Sequence, residues 1–279
     1  MRIASLMLST GMLAALPFAA QADQRCEHSA PRDAELRLSG IKTVMFDIGP
    51  HALTLNGGKN TTGAIRGKAC TSDTKRLVEL VVNQQREGDK LIVRAERNSL
   101  MRKGSWSGKD YGYLELNATI PDIIAVQVVV GSGDAVVEGV ASLSADVGSG
   151  ELEARHVRGA FYADVGSGDI QASDIGALHV VTVGSGDLNA RDIRGASRVG
   201  EVNSGDLTLA NANGRVEIGS IGSGDATLSN IAGDVTVDSI GSGDLQANGI
   251  DGDLVVDSVG SGSVGHRNVS GQVRIPKDD

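Results

Sequence analysis

The residues best placed to do chemistry are seven carboxylates in a shared register: Asp134, Glu151, Asp169, Asp187, Asp206, Asp225 and Asp244. Each follows a Gly-Ser-Gly unit or its Asn-Ser-Gly variant. Carboxylates are hard oxygen donors, so such a column could gather calcium or another divalent cation. Like charges stacked about 5 Å apart repel by roughly 1 kcal/mol per pair in water. Something must offset that repulsion. Hydrogen bonds from each turn's own N–H groups and serines would do it, and so would a bound cation. The calcium-binding nonapeptide repeat is superficially similar, but the double glycine is missing here and the acid directly follows the second glycine. The expectation is no obligatory cofactor, with calcium the one ion to consider.

A second concentration comprises Trp106, Tyr111 and Tyr113 beside Arg102 and Lys103, with Arg97 and Lys109 nearby. Three of the chain's seven aromatics fall within these eight residues. Flat rings with basic neighbours could grip a sugar or an acidic polymer, or they could cover one end of the fold as a hairpin. A third column, His156, Asp174, Asp192, Asn211, Asn230 and Asn268, lies seven residues after successive serines. Asparagine and aspartate recurring at one corner point to tight turns that use left-handed backbone. No catalytic residues emerge. The serines sit in Gly-Ser-Gly rather than a Gly-x-Ser-x-Gly elbow. Carboxylate pairs recur in every turn, so none is singled out as an acid/base pair. No phosphate loop or metal cluster is present.

The elements that must carry these residues are repeats. The serines stand at 132, 149, 167, 185, 204, 223, 242 and 261, at intervals of 17, 18, 18, 19, 19, 19 and 19. Aligned on the serine, apolar columns appear. Three residues on are Ala135, Leu152, Ile170, Leu188, Leu207, Ala226, Leu245 and Val264; five on, mostly Ala or Leu; eight on, mostly Val or Ile. Two before the serine the residue is always Val or Ile. Between the first two columns stand polar residues such as Glu153, Gln171, Asn189 and Thr208, an alternation that means strand with one buried face. Where the first column is large the second is small, as in Leu188/Ala190, and the reverse in Ala226/Leu228. The turn with two leucines, Leu207/Leu209, has Ala212 in the third column. Constant volume per turn is what a narrow, close-packed interior demands. The pattern predicts an all-β, right-handed parallel β-helix or solenoid of about eight turns of 17–19 residues. Two strands per turn are read directly, and a third short strand near the eighth-position column has room. Eight turns would span roughly 38 Å.

Upstream, the chain is β-rich without the clean repeat. Strands are expected at Ala52–Leu55, Arg76–Val82, Lys90–Arg94 and Tyr113–Ile120, the last ended by Pro121. The repeat begins near Ile124 with no linker, so this segment is expected to cap the solenoid and share its core. At the other end Ser263 replaces the acid, His266 enters an apolar column, and Arg274, Pro276 and Lys277 read as a cap. Residues 1–22 read as a secretory signal, with Arg2, an apolar run and Ala20-Gln21-Ala22 as cleavage site. The organisation is therefore 1–22 signal, 23–123 capping segment and 124–279 repeat. No later stretch is long enough for a transmembrane span. Cys26 and Cys70, the two cysteines of an exported chain, are expected to form a disulfide. From Gly131 onward 22 acidic and 9 basic residues give a net charge of −13, against +3 for Asp23 to Val130. That argues against nucleic acid as partner of the repeat.

The order of these features resembles the bacterial putative-adhesin families of unknown function that include the head GIN domain. The matching stretches are the signal, Val44-Met45-Phe46-Asp47-Ile48, Leu53-Thr54-Leu55-Asn56-Gly57, Gly88-Asp89-Lys90-Leu91-Ile92-Val93, Leu116-Asn117-Ala118-Thr119-Ile120-Pro121 and the Gly-Ser-Gly-Asp turns. The resemblance implies a β-helix-like domain of the cell envelope or beyond, in the periplasm, on the outer-membrane surface or secreted. It brings no catalytic residues. The functional expectation is a non-catalytic adhesin-like or scaffolding module that binds an envelope protein or glycan. The alternatives are a divalent-cation-dependent surface protein and a polysaccharide-active enzyme.

Overall fold

The computed structural model describes residues 26–98 and 110–276. It is a β-solenoid. From residue 125 onward each rung contributes one strand to each of two facing parallel sheets. The outbound strand follows the Gly-Ser-Gly corner, as in Leu188–Ile193, Leu207–Ala212 and Ala226–Ile231, and each pairs in parallel with its counterpart one rung on. The return strands Ser197–Val202, Val216–Ile221 and Val235–Ile240 do the same on the other side. Two strands make a rung, and the eighth-position column ends the outbound strand instead of starting a third.

Six positions per rung point inward, as in Ser197, Val199, Val202, Leu207, Leu209 and Ala212, each at most 3% exposed. One buried cluster runs from Leu36 to Val256, so the N-terminal segment and the repeat share a core. The drift from 17 to 19 residues per rung has a local cause. Rung length changes at two places only, the corner after the third apolar column and the second half of the return strand. Between Val157 and Ala160 the next rung is one residue shorter, and between Ala163 and Val165 it is one residue longer. From Val180–Val183 onward the return strand carries a bulge, and the extra residue stays outside while the inward columns keep step.

The N-terminal segment does more than cap. Thr43–Gly49 and Ala52–Gly58 form a full rung beneath Ala125–Val130 and Asp134–Glu138. Lys90–Arg97 and Gly112–Pro121 form the next rung outward. Spatial order thus departs from chain order: the chain lays one rung, places a second outside it, then steps back across the first to begin the repeat. The step is made by Asp122 to Ile124, where the Asp122 N–H donates to Gly58 O at 3.2 Å and its carboxylate accepts from Arg158 at 2.8 Å. The outer end is closed by antiparallel strands. Ala64–Thr71 covers Gly112–Pro121, His28–Pro31 covers Ala64–Thr71, and Leu80–Glu87 covers Lys90–Arg97.

The strand expected from Arg76 is corrected. Thr74–Glu79 is a 3₁₀ turn, and the strand starts at Leu80. The Asp73 carboxylate accepts from Lys75 N–H to start that turn, a local bond that competes with extended pairing. Arg32 then secures it, donating to the carbonyls of Leu77 and Leu80 at 2.5 and 2.6 Å. At the far end the rungs continue through Ser263–Val269 and Val273–Arg274, paired in parallel with the rung before. Arg274 therefore extends the ladder, and the described residues stop at Pro276.

Candidate functional site

The corner after each outbound strand uses left-handed backbone in all eight rungs. His156, Asp174, Asp192, Asn211, Asn230 and Asn268 have φ between 53° and 59°, and Gly139 and Gly249 complete the column at 73° and 72°. The Asn/Asp column is therefore a turn requirement. Its side chains also link rungs. Asn211 Nδ2 donates to Asp192 Oδ1 at 2.9 Å, and Asn230 Nδ2 to Asn211 Oδ1 at 3.0 Å. The His156 ring meets Asp174 at 2.7 Å.

The acidic column is a hydrogen-bond ladder. The backbone N–H of Asp187 donates to the Asp169 carboxylate at 2.9 Å, Asp206 to Asp187 at 3.2 Å, Asp225 to Asp206 at 3.1 Å and Asp244 to Asp225 at 2.9 Å. Ser263 ends the series, donating through both N–H and Oγ to Asp244 at 2.8 Å. The donor belongs to the next rung, not to the carboxylate's own turn. In the first rungs the same N–H groups choose glycine carbonyls, Glu151 N–H on Gly133 O and Asp169 N–H on Gly150 O, so the Asp134 and Glu151 carboxylates stand outside the ladder. A shorter ladder of the same kind links Asp234, Asp253 and Gln272 on the return side. Each such bond to a charged acceptor offsets part of the like-charge repulsion. Among the described residues no group of three or more His, Cys, Asp or Glu side chains is arranged to hold a metal ion.

The structure joins Cys26 to Cys70 in a disulfide. Cys70 stands opposite Tyr113 across the antiparallel pair. Tyr111 and Tyr113 have ring centroids 6.2 Å apart, and the Tyr111 hydroxyl accepts from Glu27 N–H at 2.9 Å. These two rings lie at the closed end of the solenoid, and Tyr111 fastens the first residues of the cap. Trp106, Arg102 and Lys103 lie outside the described residues, as do the signal segment 1–22 and Lys109.

Among the solved structures similar to this chain are two with adhesion names and one with a lipid-binding name. One is a putative adhesin from Parabacteroides merdae, 13% identical, covering 86% of this chain and 97% of its own, with a TM-score of 0.48. A putative cell adhesion protein from Clostridium sporogenes is 12% identical and covers 88% and 100%, with a TM-score of 0.27. A putative lipid binding protein from Parabacteroides distasonis is 16% identical and covers 87% and 96%, with a TM-score of 0.32. No family model and no curated protein matches the chain. No activity or ligand passes from those structures to this one. Among the described residues no helix is long and apolar enough to cross a membrane.

Sequence reasoning missed two features. The first is His51, 1% exposed at the corner beside Gly133. Its Nδ1 accepts from Leu114 N–H at 3.2 Å, while Nε2, which must carry the ring proton, has no partner. Burial, helped by the charge of Arg97, pushes its pKa down to about 4. The folded state therefore favours the neutral ring. The stability this contributes is complete above the unfolded pKa near 6.5 and is lost as pH falls toward 4, roughly 3 kcal/mol in all. A His51→Gln variant, which can still accept from Leu114, is expected to show a shallower fall in melting temperature between pH 6.5 and 4 than the parent. Parallel profiles would contradict the assignment. The second feature is a patch around Tyr162, which no column alignment on the serines isolates because the return strands vary in length.

Proposed function

We propose that the chain is an exported, non-catalytic β-solenoid of the bacterial cell envelope, an adhesin-like or scaffolding module that binds a partner through its long, regular faces. The observation that carries this reading is the uniformity of the rungs. From residue 131 onward the longest connection between successive strands, from Val256 to Ser263, is six residues, so no loops rise to wall a catalytic cleft. The outward positions of the outbound sheet are a stack of Glu153, Gln171, Asn189, Thr208 and Thr227, none of them buried. Such a face offers area and repetition, the properties solenoids use in binding. The Cys26–Cys70 disulfide supports an oxidising compartment and agrees with the signal-like first 22 residues.

The test is capture of envelope components by the tagged mature protein, with and without chelator. A specific partner recovered in both arms is the expected result. Recovery only without chelator would favour the cation-dependent alternative, and recovery of nothing specific in either arm would count against a binding role.

A further inference from the structure

On the outer face of the return sheet, the outward column reads Gln127, Ser144, Tyr162, His179, Arg198, Glu217 in consecutive rungs. Tyr162 is 49% exposed and its ring stacks on His179 with centroids 4.8 Å apart and planes 14° apart. The next position along the same strand as His179, two residues on, is Val181, 61% exposed. These three side chains form an uncovered aromatic and apolar patch in a chain with only seven aromatics. On the rung before Tyr162 the neighbour in this column is Ser144, a small residue, so the column sets no large side chain against the ring face turned from His179.

The charges around the patch are one-sided. Asp146 and Asp164 stand two residues along from Ser144 and Tyr162, in register on adjacent rungs about 4.8 Å apart. Both are exposed, and neither has an ion-pair or hydrogen-bond partner among the described residues. The basic groups nearby are committed: Arg198 to Glu217 at 2.6 Å and Arg158 to Asp122 at 2.8 Å. On the following rungs the bulge position held by Val181 is Gly200, Gly219 and Asp238, the glycines lying against the backbone of the rung before. The two glycines floor an open depression of about 400 Å³ lined by Arg198, Glu217, Thr236 and Asp238. From Asp164 to Asp238 is four rungs, roughly 19 Å, the span of about six extended residues.

We propose that this face binds an extended, basic polypeptide segment lying along the solenoid axis. An arginine guanidinium stacks on the free face of Tyr162 and is held by Asp146 and Asp164. The segment's backbone passes over Gly200 and Gly219, where no side chain stands in its way, and a second basic residue reaches Asp238. A planar cation stacks on the ring and also neutralises the paired carboxylates, which a neutral sugar or an anion does not. The proposal rests on the partner-binding reading and gives that partner a chemistry.

The experiment is fluorescence anisotropy of the full mature chain with an eight-residue arginine-containing peptide, its lysine counterpart and its citrulline counterpart. The arginine peptide is expected to bind most tightly, and more weakly as salt rises. Tyr162→Ala and the pair Asp146→Asn/Asp164→Asn should each weaken it by about fivefold or more, with melting temperatures unchanged. The control pair Glu87→Gln/Asp251→Asn removes the same charge elsewhere and should leave affinity unaltered. Equal binding of the citrulline peptide, equal loss in the control pair, or no binding at millimolar peptide would overturn the site. An envelope partner captured equally by parent and by the Tyr162 and Asp146/Asp164 variants would leave the general reading standing and remove this site from it.

Discussion

Gly205→Ala is expected to destabilise the solenoid by about 4 kcal/mol and to lower its melting temperature by roughly 8–16 °C. A Cβ at Gly205 would lie 1.8 Å from the carbonyl oxygen of Gly186 on the rung below. The same approach recurs at Gly186, Gly224 and Gly243, at 1.8 to 1.9 Å. The obstacle is backbone, so no side chain can swing away. Lifting the rung would break the bonds that set its height, Ser204 N–H on Gly184 O at 2.8 Å and Gly205 N–H on the same oxygen at 2.9 Å. Gly205 is absent from the positive-φ positions, so close contact requires the glycine there, not its conformational freedom. Gly88 is the converse, with φ +64° and nothing within 4 Å of an added Cβ. Gly88→Ala should cost only about 1 kcal/mol. Thermal melts of the two variants by circular dichroism check the pair. Equal small losses would mean the rungs are not stacked this tightly.

Removing the disulfide is the second large effect. The bridge spans 44 residues, and closing a loop of that length stabilises by about 4 kcal/mol in the chain-entropy model. The loss should be local. Cys70 lies on Ala64–Thr71, which holds His28–Pro31 on one side and the outer rung strand Gly112–Pro121 on the other. A solenoid responds rung by rung, because each rung contacts only its neighbours. In Cys26→Ser/Cys70→Ser, amide exchange should accelerate in 28–35 and 64–71 while Leu188–Ile193 and Leu207–Ala212 keep their protection. Uniform acceleration through the repeat would show a single cooperative unit instead.

How far the sequence carried follows from which interactions leave a periodic trace. Inward columns such as Leu188/Ala190/Ile193 were legible because stacking repeats the same environment every rung. The αL corner was legible because few residue types tolerate it, and Asn211 and Asn230 are among them. The rung order at the N-terminus was not. Thr43–Gly58 lies between two rungs that come later in the chain, and that arrangement is set by long-range pairing that no local pattern records. The Thr74–Glu79 turn was hidden behind an apolar run, Leu77-Val78-Glu79-Leu80, that suits a strand equally well. The acidic column was visible as a column, but the carboxylate's donor on the next rung appears only once the register is known. Tyr162 and His179 share no column counted from the serines, because one falls 13 residues after its serine and the other 12.

The most direct test of one thin interior shared by all rungs is a double-mutant cycle within the rung that has both leucines. Leu209, Ala212 and Val202 are each at most 1% exposed. Ala212→Ile alone should overpack the rung and cost about 1–3 kcal/mol, and Leu209→Ala alone should leave a cavity costing about 2–5 kcal/mol. Combined, the added and the deleted volumes should compensate, leaving the double variant at least about 1 kcal/mol more stable than the sum of the singles implies. Strict additivity would mean the two side chains do not share a space, and the stacked-core account would fail with it.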